Sequence, residues 1–283
     1  MSLSRSRSFW VVVLATGLSA FGDEVALVAL MIRVADLTDS GLAVSALLFL
    51  GLTPLVIFAP MAGLVADRMS RAKLLAVATF VQAAVAGSLA FVHSVPAILV
   101  LSFALGIGLA FANPAMFALV PEIVGLDHVT EANAYLETAR YGGSVLGPLV
   151  AGSIAAGFGV GPALLLDAVS FLAISAAALS LKVGAPSRER AGSAEAGRKG
   201  QAREGFALVL KDRLLLLVTA TVGVLVLFAA MVTVAEVFFA KDSLGAGDFG
   251  FGVLATCWLL GMVFGATVVT RRLPPGSLAP AVL

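Results

Sequence analysis

The chain has 283 residues, of which 60% are hydrophobic and only 12% are charged. Soluble domains carry about 25% charged residues, so this composition excludes a water-soluble globular protein. The net charge of +1 gives no sign of a nucleic-acid partner, and two His and one Cys are too few for a dense metal site or an intrachain disulfide. We therefore expect no nucleic acid, no metal and no cofactor.

Apolar residues occur in long blocks that are separated by short polar stretches. A helix needs about 20 apolar residues to cross a hydrocarbon layer of about 30 Å. Only helices and closed barrels satisfy their backbone polar groups inside lipid. A barrel would show alternating segments of about 10 residues, and the sequence has none. The blocks therefore predict an all-α, polytopic transmembrane protein.

In chain order, eight blocks have the length of a membrane span: about residues 9–32, 42–65, 74–92, 97–120, 142–158, 162–181, 214–239 and 251–269. The first block is longer than the apolar core of a signal peptide and contains Asp23-Glu24, so we interpret it as a span. Residues 122–140 are polar with helix-forming character, and residues 182–213 have the composition of a linker. The chain ends in an apolar stretch that resembles the opening of another span.

Six spans, a basic linker and further spans are the layout of a two-lobed transporter. We predict a six-helix N-terminal lobe over residues 1–182, a cytoplasmic linker over 183–213, and a partial C-terminal lobe of two helices over 214–283. Transporters of this kind often contain repeats and bind substrate at the repeat interface.

The Lys and Arg residues predict the orientation of the chain. With a cytoplasmic N-terminus, sixteen of the eighteen basic residues lie in cytoplasmic segments, and only Arg33 and Lys241 lie outside. We therefore predict a multi-pass protein of the cell membrane, inner or plasma, with its N-terminus in the cytoplasm. Arg33 is expected to lie at the membrane interface with its head group in the polar layer.

The loop between the second and third spans carries the most specific motif. It reads Gly63-Leu-Val-Ala-Asp67-Arg68-Met-Ser-Arg71-Ala-Lys73. This resembles the signature loop of the major facilitator superfamily, Gly-x-x-x-Asp-Arg-x-x-Arg. An ordinary positive-inside loop would explain the basic residues but not the placement of Gly63 and Asp67. The resemblance implies a conformational gate rather than a substrate site. The residues that would form this gate are Gly63, Asp67, Arg68 and Arg71.

The fifth span carries a second motif, Gly143-Ser-Val-Leu-Gly147-Pro148-Leu-Val-Ala-Gly152. Gly143 and Gly147 form a small face on which another helix can pack closely. Pro148 removes a backbone donor and favours a bend. The pattern resembles the Gly-x-x-x-Gly-Pro-x-x-x-Gly element of the superfamily's export branches. That resemblance implies a helix-packing hinge, and the alternative is generic close packing.

The first span contains two adjacent carboxylates, Asp23 and Glu24. An ionisable group inside a span costs at least ~2.5 kcal/mol, so it usually faces protein or water. Such a carboxylate can take up and release a proton or attract a cationic substrate. Neighbouring helix positions diverge by about 100°, so the two side chains point in different directions. We favour Asp23, because Gly22-Asp23 resembles the macrolide-efflux and enterobactin-exporter branch. A structural carboxylate bonded to a neighbouring helix is the alternative.

Two further acidic residues lie in later spans. Asp167 lies early in the sixth span and Glu236 late in the seventh, both toward the outer side in the predicted topology. We expect these side chains to be solvated at the membrane interface. Glu236 is nevertheless a second candidate, after Asp23, for handling a proton or a cation.

Together the motifs imply a secondary active transporter of this superfamily that exports a small amphipathic or cationic compound. The expected partners are the lipid bilayer, a small-molecule substrate and the proton as coupling ion. The superfamily has twelve spans and this chain has eight, so a truncated, non-transporting membrane protein is the alternative function. A membrane-embedded enzyme is not expected, because neither His93 nor His128 has the company of a catalytic site.

Overall fold

The structure is a computed structural model that describes residues 7–181 and 211–272. Within these ranges, the side chains of Pro60, Asp67, Arg68, Leu126 and residues 266–272 lie outside the description. Every regular element in the described ranges is helical. Eight long helices follow one another: α1 (Arg7–Thr38), α2 (Gly41–Arg68), α3 (Arg71–Leu89), α4 (Val95–Val124), α5 (Val129–Phe158), α6 (Val160–Ser180), α7 (Arg213–Phe238) and α8 (Gly247–Arg272).

Each of the eight helices contains a segment long and apolar enough to cross a membrane, by length and composition. The prediction of an all-α protein with eight spans is therefore confirmed for the described residues. The largest difference lies in the fifth span, where α5 begins at Val129 rather than near residue 142. The polar stretch at 122–140 is thus mostly the first half of α5. Residues 182–210 of the predicted linker lie outside the described residues.

Glycines end two of the long helices. Gly125 follows α4 and Gly159 follows α5, each with φ of 78°. Glycine adopts this left-handed conformation without the steric penalty that a side chain brings. At the start of α7, the Asp212 carboxylate accepts hydrogen bonds from the backbone N–H groups of Leu214 at 2.8 Å and Leu215 at 3.3 Å. Gly125 and Gly159 thus allow the chain to turn after α4 and α5, and Asp212 satisfies backbone N–H groups at the start of α7.

Two apolar clusters fill opposite ends of the bundle. The first lies at the near end, where α1 begins, and includes Phe9, Leu75 and Phe171. The second lies at the far end, where α1 ends and α8 begins, and includes Ile32 and Phe251. Because α1 runs through both, its middle turns lie between the clusters. This division leaves a layer at mid-height, between the two apolar clusters, in which polar side chains lie.

Helix α5 connects the first six helices to the last two, since it packs on α1 and α6 on one side and on α8 on the other. Helix α7 is different, because its residues are exposed from Arg213 to Val232 and only its last turns pack against α1 and α2. Its exposed side chains are almost all apolar, as expected for a surface that faces lipid. Contact between the two groups of helices therefore depends mainly on α5 and α8.

Candidate functional site

A polar layer crosses the bundle between the two apolar clusters. Asp23 on α1, Gln82 on α3, Ser102 on α4 and Asp167 on α6 all line one cavity of about 130 Å³. Most of the other lining residues are apolar, among them Leu30, Leu47 and Phe171. A charge in such surroundings is costly unless it is paired or hydrogen-bonded. The polar groups that line this cavity therefore need partners.

Asp23, the favoured candidate from the sequence, lies in this layer. Its carboxylate accepts a hydrogen bond from Ser19 Oγ at 3.5 Å, one turn earlier on α1. Glu24 points elsewhere: a Cβ added to Gly147 of α5 would lie 2.5 Å from Glu24 Cβ. The two neighbouring carboxylates thus face different helices, as the helical repeat requires. Of these two carboxylates, only Asp23 lines the cavity.

Asp167 is not solvated, contrary to the expectation from its place near the start of α6. It is 1% exposed and lines the same cavity as Asp23. Ser170 Oγ donates to the Asp167 carboxylate at 3.3 Å and to its backbone carbonyl at 2.8 Å. A Cβ added to Gly22 would lie only 2.6 Å from Asp167 Oδ1. The bare glycine next to Asp23 is what lets α6 bring a second carboxylate against α1.

Gln82 and Ser102 are two residues of the cavity that sequence reasoning missed. They are 2% and 5% exposed, and neither Gln82 Oε1 nor Ser102 Oγ has a hydrogen-bond partner among the described residues. A Cβ added to Gly108 would lie 2.8 Å from Gln82 Cδ, so α4 packs directly on this amide. The available signal was a neutral polar side chain in the middle of an apolar span, which belongs to no motif.

A second cavity of about 100 Å³ adjoins the first. The two cavities share Asp23, Gln82, Leu109 and Phe171 as lining residues. The second cavity also reaches Arg140, on the part of α5 that is toward the near end of the bundle. Arg140 is partly exposed and donates to Glu137 Oε2 at 2.6 Å, so its charge is already paired on the same helix. Asp23 therefore faces both cavities, whereas Asp167 faces only the first.

The loop motif lies at the near end, where α2 gives way to α3. Arg71 forms an ion pair with Glu122 near the end of α4 and donates to the Ala118 carbonyl at 3.1 Å. These contacts tie the start of α3 to the end of α4. Gly63 lies on α2 and is partly buried, and the side chains of Asp67 and Arg68 lie outside the described residues. Of the predicted gate residues, Arg71 is thus the one whose partners can be named.

The motif on α5 divides between two neighbouring helices. Gly147 packs against α1, since a Cβ there would lie 3.1 Å from the Phe21 carbonyl oxygen, and Gly143 packs against the backbone at Gly17. Gly152 packs instead against α8, since a Cβ there would lie 2.9 Å from Gly252 Cα. The carbonyl oxygen of Pro148 also faces α8: a Cβ added to Gly252 would lie 2.5 Å from it. The motif therefore joins both groups of helices.

The far end carries an ion cluster that the sequence did not predict. Lys241, in a π-helical segment at Phe239–Ser243, pairs with Asp36 near the end of α1. It also pairs with Asp248 in the first turn of α8, at 2.9 Å. Glu236, the remaining sequence candidate, is partly buried on α7 and lines neither of the two cavities described above. Lys241 thus links α1 to α8 at the same end as the Gly152–Gly252 contact.

Arg33 is another residue whose expected position is wrong. Its head group is buried against protein rather than solvated, since the residue is only 8% exposed. Its guanidinium donates to the carbonyl oxygens of Leu89 at 2.6 Å, Val92 at 3.1 Å and Ala90 at 3.4 Å. The last carbonyls of a helix lack partners within the helix, and a basic side chain can satisfy them. Arg33 therefore caps α3 and fastens it to α1.

Comparisons with known proteins agree with this architecture. The sequence profile of the Major Facilitator Superfamily matches residues 12–282. Macrolide efflux protein A of Streptococcus pyogenes is 27% identical over 149 residues, which cover 50% of this chain and 36% of that protein. The protein of the same name from Streptococcus pyogenes serotype M6 gives the same figures. The match thus spans little more than a third of the length of these curated relatives.

A likeness to a solved structure concerns the fold alone. The crystal structure of a D-xylose-proton symporter superposes with a TM-score of 0.53 at 16% sequence identity. The superposition covers 93% of this chain and 69% of the symporter chain.

Proposed function

The chain belongs to the major facilitator superfamily, and on that premise we propose that it is a secondary active transporter that exports a small amphipathic or cationic compound in exchange for protons. The family predicted from the loop motif is confirmed by the profile match over residues 12–282. The proposed partners are the bilayer, a small-molecule substrate and the proton as coupling ion.

Export is supported by two observations of different kinds. One is the 27% identity to macrolide efflux protein A over 149 residues, which covers half of this chain. The other is the α5 motif, whose Gly143, Gly147, Pro148 and Gly152 lie where α5 passes from α1 to α8. We propose that these four residues form a hinge about which the two groups of helices move.

The observation that carries the coupling proposal is the position of Asp23. It lies at mid-height of α1, between the two apolar clusters, and lines both cavities. A carboxylate in such a place can exchange a proton with the near end through the second cavity. Glu24, against α5, and Glu236, on α7, are lesser candidates because neither lines the two cavities.

Alternating access needs contacts at each end that form and break in turn. At the far end, we propose that the packing of Gly152 on Gly252 and the Lys241 ion pairs hold α5 and α1 against α8. At the near end, the loop that contains Gly63, Asp67, Arg68 and Arg71 would act as the gate. The Arg71–Glu122 ion pair supports this role, because it couples the loop to α4.

We further propose that the protein resides in the cell membrane with its N-terminus in the cytoplasm. The distribution of basic residues supports this orientation, since it places the near end, with Arg71 and Arg140, on the cytoplasmic side. We also propose that the chain consists of a six-helix lobe at residues 1–182, a linker at 183–213 and a two-helix partial lobe at 214–283.

The test uses the full chain reconstituted in vesicles. An imposed pH gradient should drive efflux of a fluorescent lipophilic cation, and Asp23→Asn should abolish the gradient-dependent part, because an amide cannot carry a proton through the cycle. Asp39→Asn is the matched control, since Asp39 is exposed in the turn after α1 and has a φ of 50° that Asn also tolerates. Coupled efflux that survives Asp23→Asn contradicts the proposed role. Vesicles of the unaltered chain without any coupled efflux contradict the transport proposal itself.

A further inference from the structure

The cavity at mid-height contains two carboxyl groups and no resident positive charge. Asp23 and Asp167 both line it, and none of the described residues that line it is basic. Asp167 receives only the neutral hydroxyl of Ser170, and Asp23 only that of Ser19. Neutral donors do not remove the cost of two negative charges that share one low-dielectric space. At least one positive charge must therefore come from outside the protein.

Two neutral oxygens in the same cavity lack partners. Gln82 Oε1 and Ser102 Oγ are buried and accept no hydrogen bond from the described residues. A buried acceptor without a donor costs about 1–3 kcal/mol, and most native structures avoid it. These oxygens lie on α3 and α4, whereas the two carboxylates lie on α1 and α6. One positively charged ligand would satisfy both the unpaired carboxylates and the unpaired neutral oxygens.

We propose that Asp23, Asp167, Gln82 and Ser102 form a single site for one monovalent cation held by oxygen atoms, Na⁺ or a proton shared by the two carboxyl groups. The inference rests on the proposed role of Asp23 and extends it. Asp167 becomes the second carboxylate of the coupling site, and the two neutral oxygens complete it.

The ligand set suits a monovalent ion rather than a divalent one. Ca²⁺ takes six to eight oxygen ligands, usually from several carboxylates. Only two carboxylates line the cavity among the described residues. The volume of about 130 Å³ is enough for a small ion and several water molecules, each of which occupies about 30 Å³ in the liquid. Oxygen ligands without nitrogen or sulfur select hard cations.

The second cavity gives the site a route by which a cation can enter and leave. Asp23 also lines the second cavity, which reaches the partly exposed Arg140. Arg140 is paired with Glu137, and Glu24 lies against Gly147 of α5. Helices α2, α3 and α4 contribute no charged side chain to either cavity among the described lining residues. The cation would enter through the second cavity, meet Asp23 first and then reach Asp167.

The experiment measures binding in detergent, with no membrane and no gradient. Radioactive Na⁺ is titrated onto the purified full chain at about pH 8, where free carboxyl groups are ionised. In parallel, infrared spectroscopy records the C=O stretching band of a protonated carboxyl group at the same pH. Na⁺ binding identifies the metal ion as the occupant, and the carboxyl band identifies the proton. Either result supports the site if it depends on the residues named.

Asp23→Asn and Asp167→Asn should each weaken Na⁺ binding by at least about tenfold, or remove the carboxyl band, because each takes one of the two charges away. Ser102→Ala should weaken Na⁺ binding by a few fold, and Asp39→Asn should change nothing. Circular dichroism and gel filtration show whether Asp167→Asn folds. If it does not, the nearly isosteric and uncharged change Ser102→Ala tests whether the neutral oxygens belong to the cation site.

Absence of both signals from the unaltered chain overturns the proposal, and so does their persistence in Asp167→Asn. Because the assay needs no transport, a chain that binds the cation but moves no compound contradicts only the proposed function. A chain that shows coupled efflux without cation binding at these residues contradicts only the site.

Discussion

Two pairs of aspartates in this molecule differ in whether a basic residue lies between them. At the far end, Lys241 pairs with both Asp36 and Asp248. At mid-height, Asp23 and Asp167 line one cavity to which no described basic side chain contributes. Both pairs join helices that are distant in the sequence. A fixed lysine suits a contact whose carboxylates stay paired, whereas its omission suits a site whose positive charge is exchanged.

Burial makes the difference informative. The far-end side chains are 52% exposed at Asp36, 23% at Asp248 and 19% at Lys241, so water partly screens their charges. At mid-height, Asp167 is 1% exposed and Asp23 is partly buried. Exposed ion pairs contribute about 0–1 kcal/mol, whereas an unpaired buried charge costs several kcal/mol. If stability alone decided where a lysine lies, the pair that contains the buried Asp167 would have it. The chain has the opposite arrangement. None of the described residues that line the cavity is basic, which supports a functional reason for the missing lysine.

The largest expected effect comes from giving the cavity a lysine of its own. Gln82→Lys places an ammonium group on α3 beside the two carboxylates, which removes the need for an external cation. We expect cation binding to fall by at least about 100-fold, equivalent to ~3 kcal/mol. Sodium titration and the infrared carboxyl band, measured on the purified chain, provide the readout.

Gln82→Met is the matched control for this prediction. It removes the amide oxygen without adding charge, so binding should fall only by a few fold. Gln82→Lys should also melt at a higher temperature than Gln82→Met, because its ammonium pairs with Asp23 and Asp167. Equal binding by the lysine and methionine variants would mean that the two carboxylates do not act as a charged pair.

A smaller effect is expected where the buried pair is brought together. Gly22→Ala adds a Cβ 2.6 Å from Asp167 Oδ1 and 3.0 Å from Ser170 Cβ. Overpacking of this kind costs typically 1–3 kcal/mol. We expect the free energy of unfolding in detergent to fall by about 2 kcal/mol, with weaker cation binding, because Asp167 must move away from α1.

Gly142→Ala provides the comparison for Gly22→Ala. Nothing lies within 4 Å of the Cβ that it adds to α5. An alanine in an exposed helix interior is more stable than glycine by roughly 0.5–1 kcal/mol, so this variant should be unchanged or slightly stabilised. A Gly22→Ala protein as stable as Gly142→Ala would show that α1 and α6 are not in close contact at this point.

The spans could be predicted from the sequence because long apolar blocks have one stable solution in lipid. The helix-forming character of residues 122–140 could also be predicted, but its continuity with the fifth span could not, because hydropathy marks only the apolar part of a long helix. Asp167 was misplaced for a different reason. Its place near the start of the span predicts solvation, whereas its burial depends on Gly22 of α1, where the missing side chain lets α6 approach.

The candidate site was found only in part. Asp23 could be selected because an ionisable residue in the middle of a span is rare. Gln82 and Ser102 carry no such signal, and their importance depends on which helices surround one cavity. Lys241 lies outside the cytoplasmic segments in the predicted topology, but its partners could not be predicted, since Asp36 lies 205 residues away in the chain. Long-range packing of this kind cannot be read from one sequence.

The smallest expected effect concerns the partly exposed cluster of Lys241, Asp36 and Asp248 at the far end. Lys241→Met leaves Asp36 and Asp248 without their shared partner and loosens the contact between α1 and α8. Partial exposure limits the loss to about 1 kcal/mol, which corresponds to about a fivefold change in an opening equilibrium. Ala155→Cys in a Cys257→Ser background reports that opening, because Ala155 is buried with Val237 and Phe251 in the far-end cluster.

The rate of thiol labelling at this position should therefore rise by about fivefold in Lys241→Met, because the far end opens more often. When Asp36→Asn and Asp248→Asn are already present, Lys241→Met should add almost nothing, since the charges it neutralised are gone. An equal rise in labelling with and without the two aspartates would assign the effect to lost packing of the lysine stem. The resident lysine would then have no electrostatic role, and the contrast with the buried pair would fail.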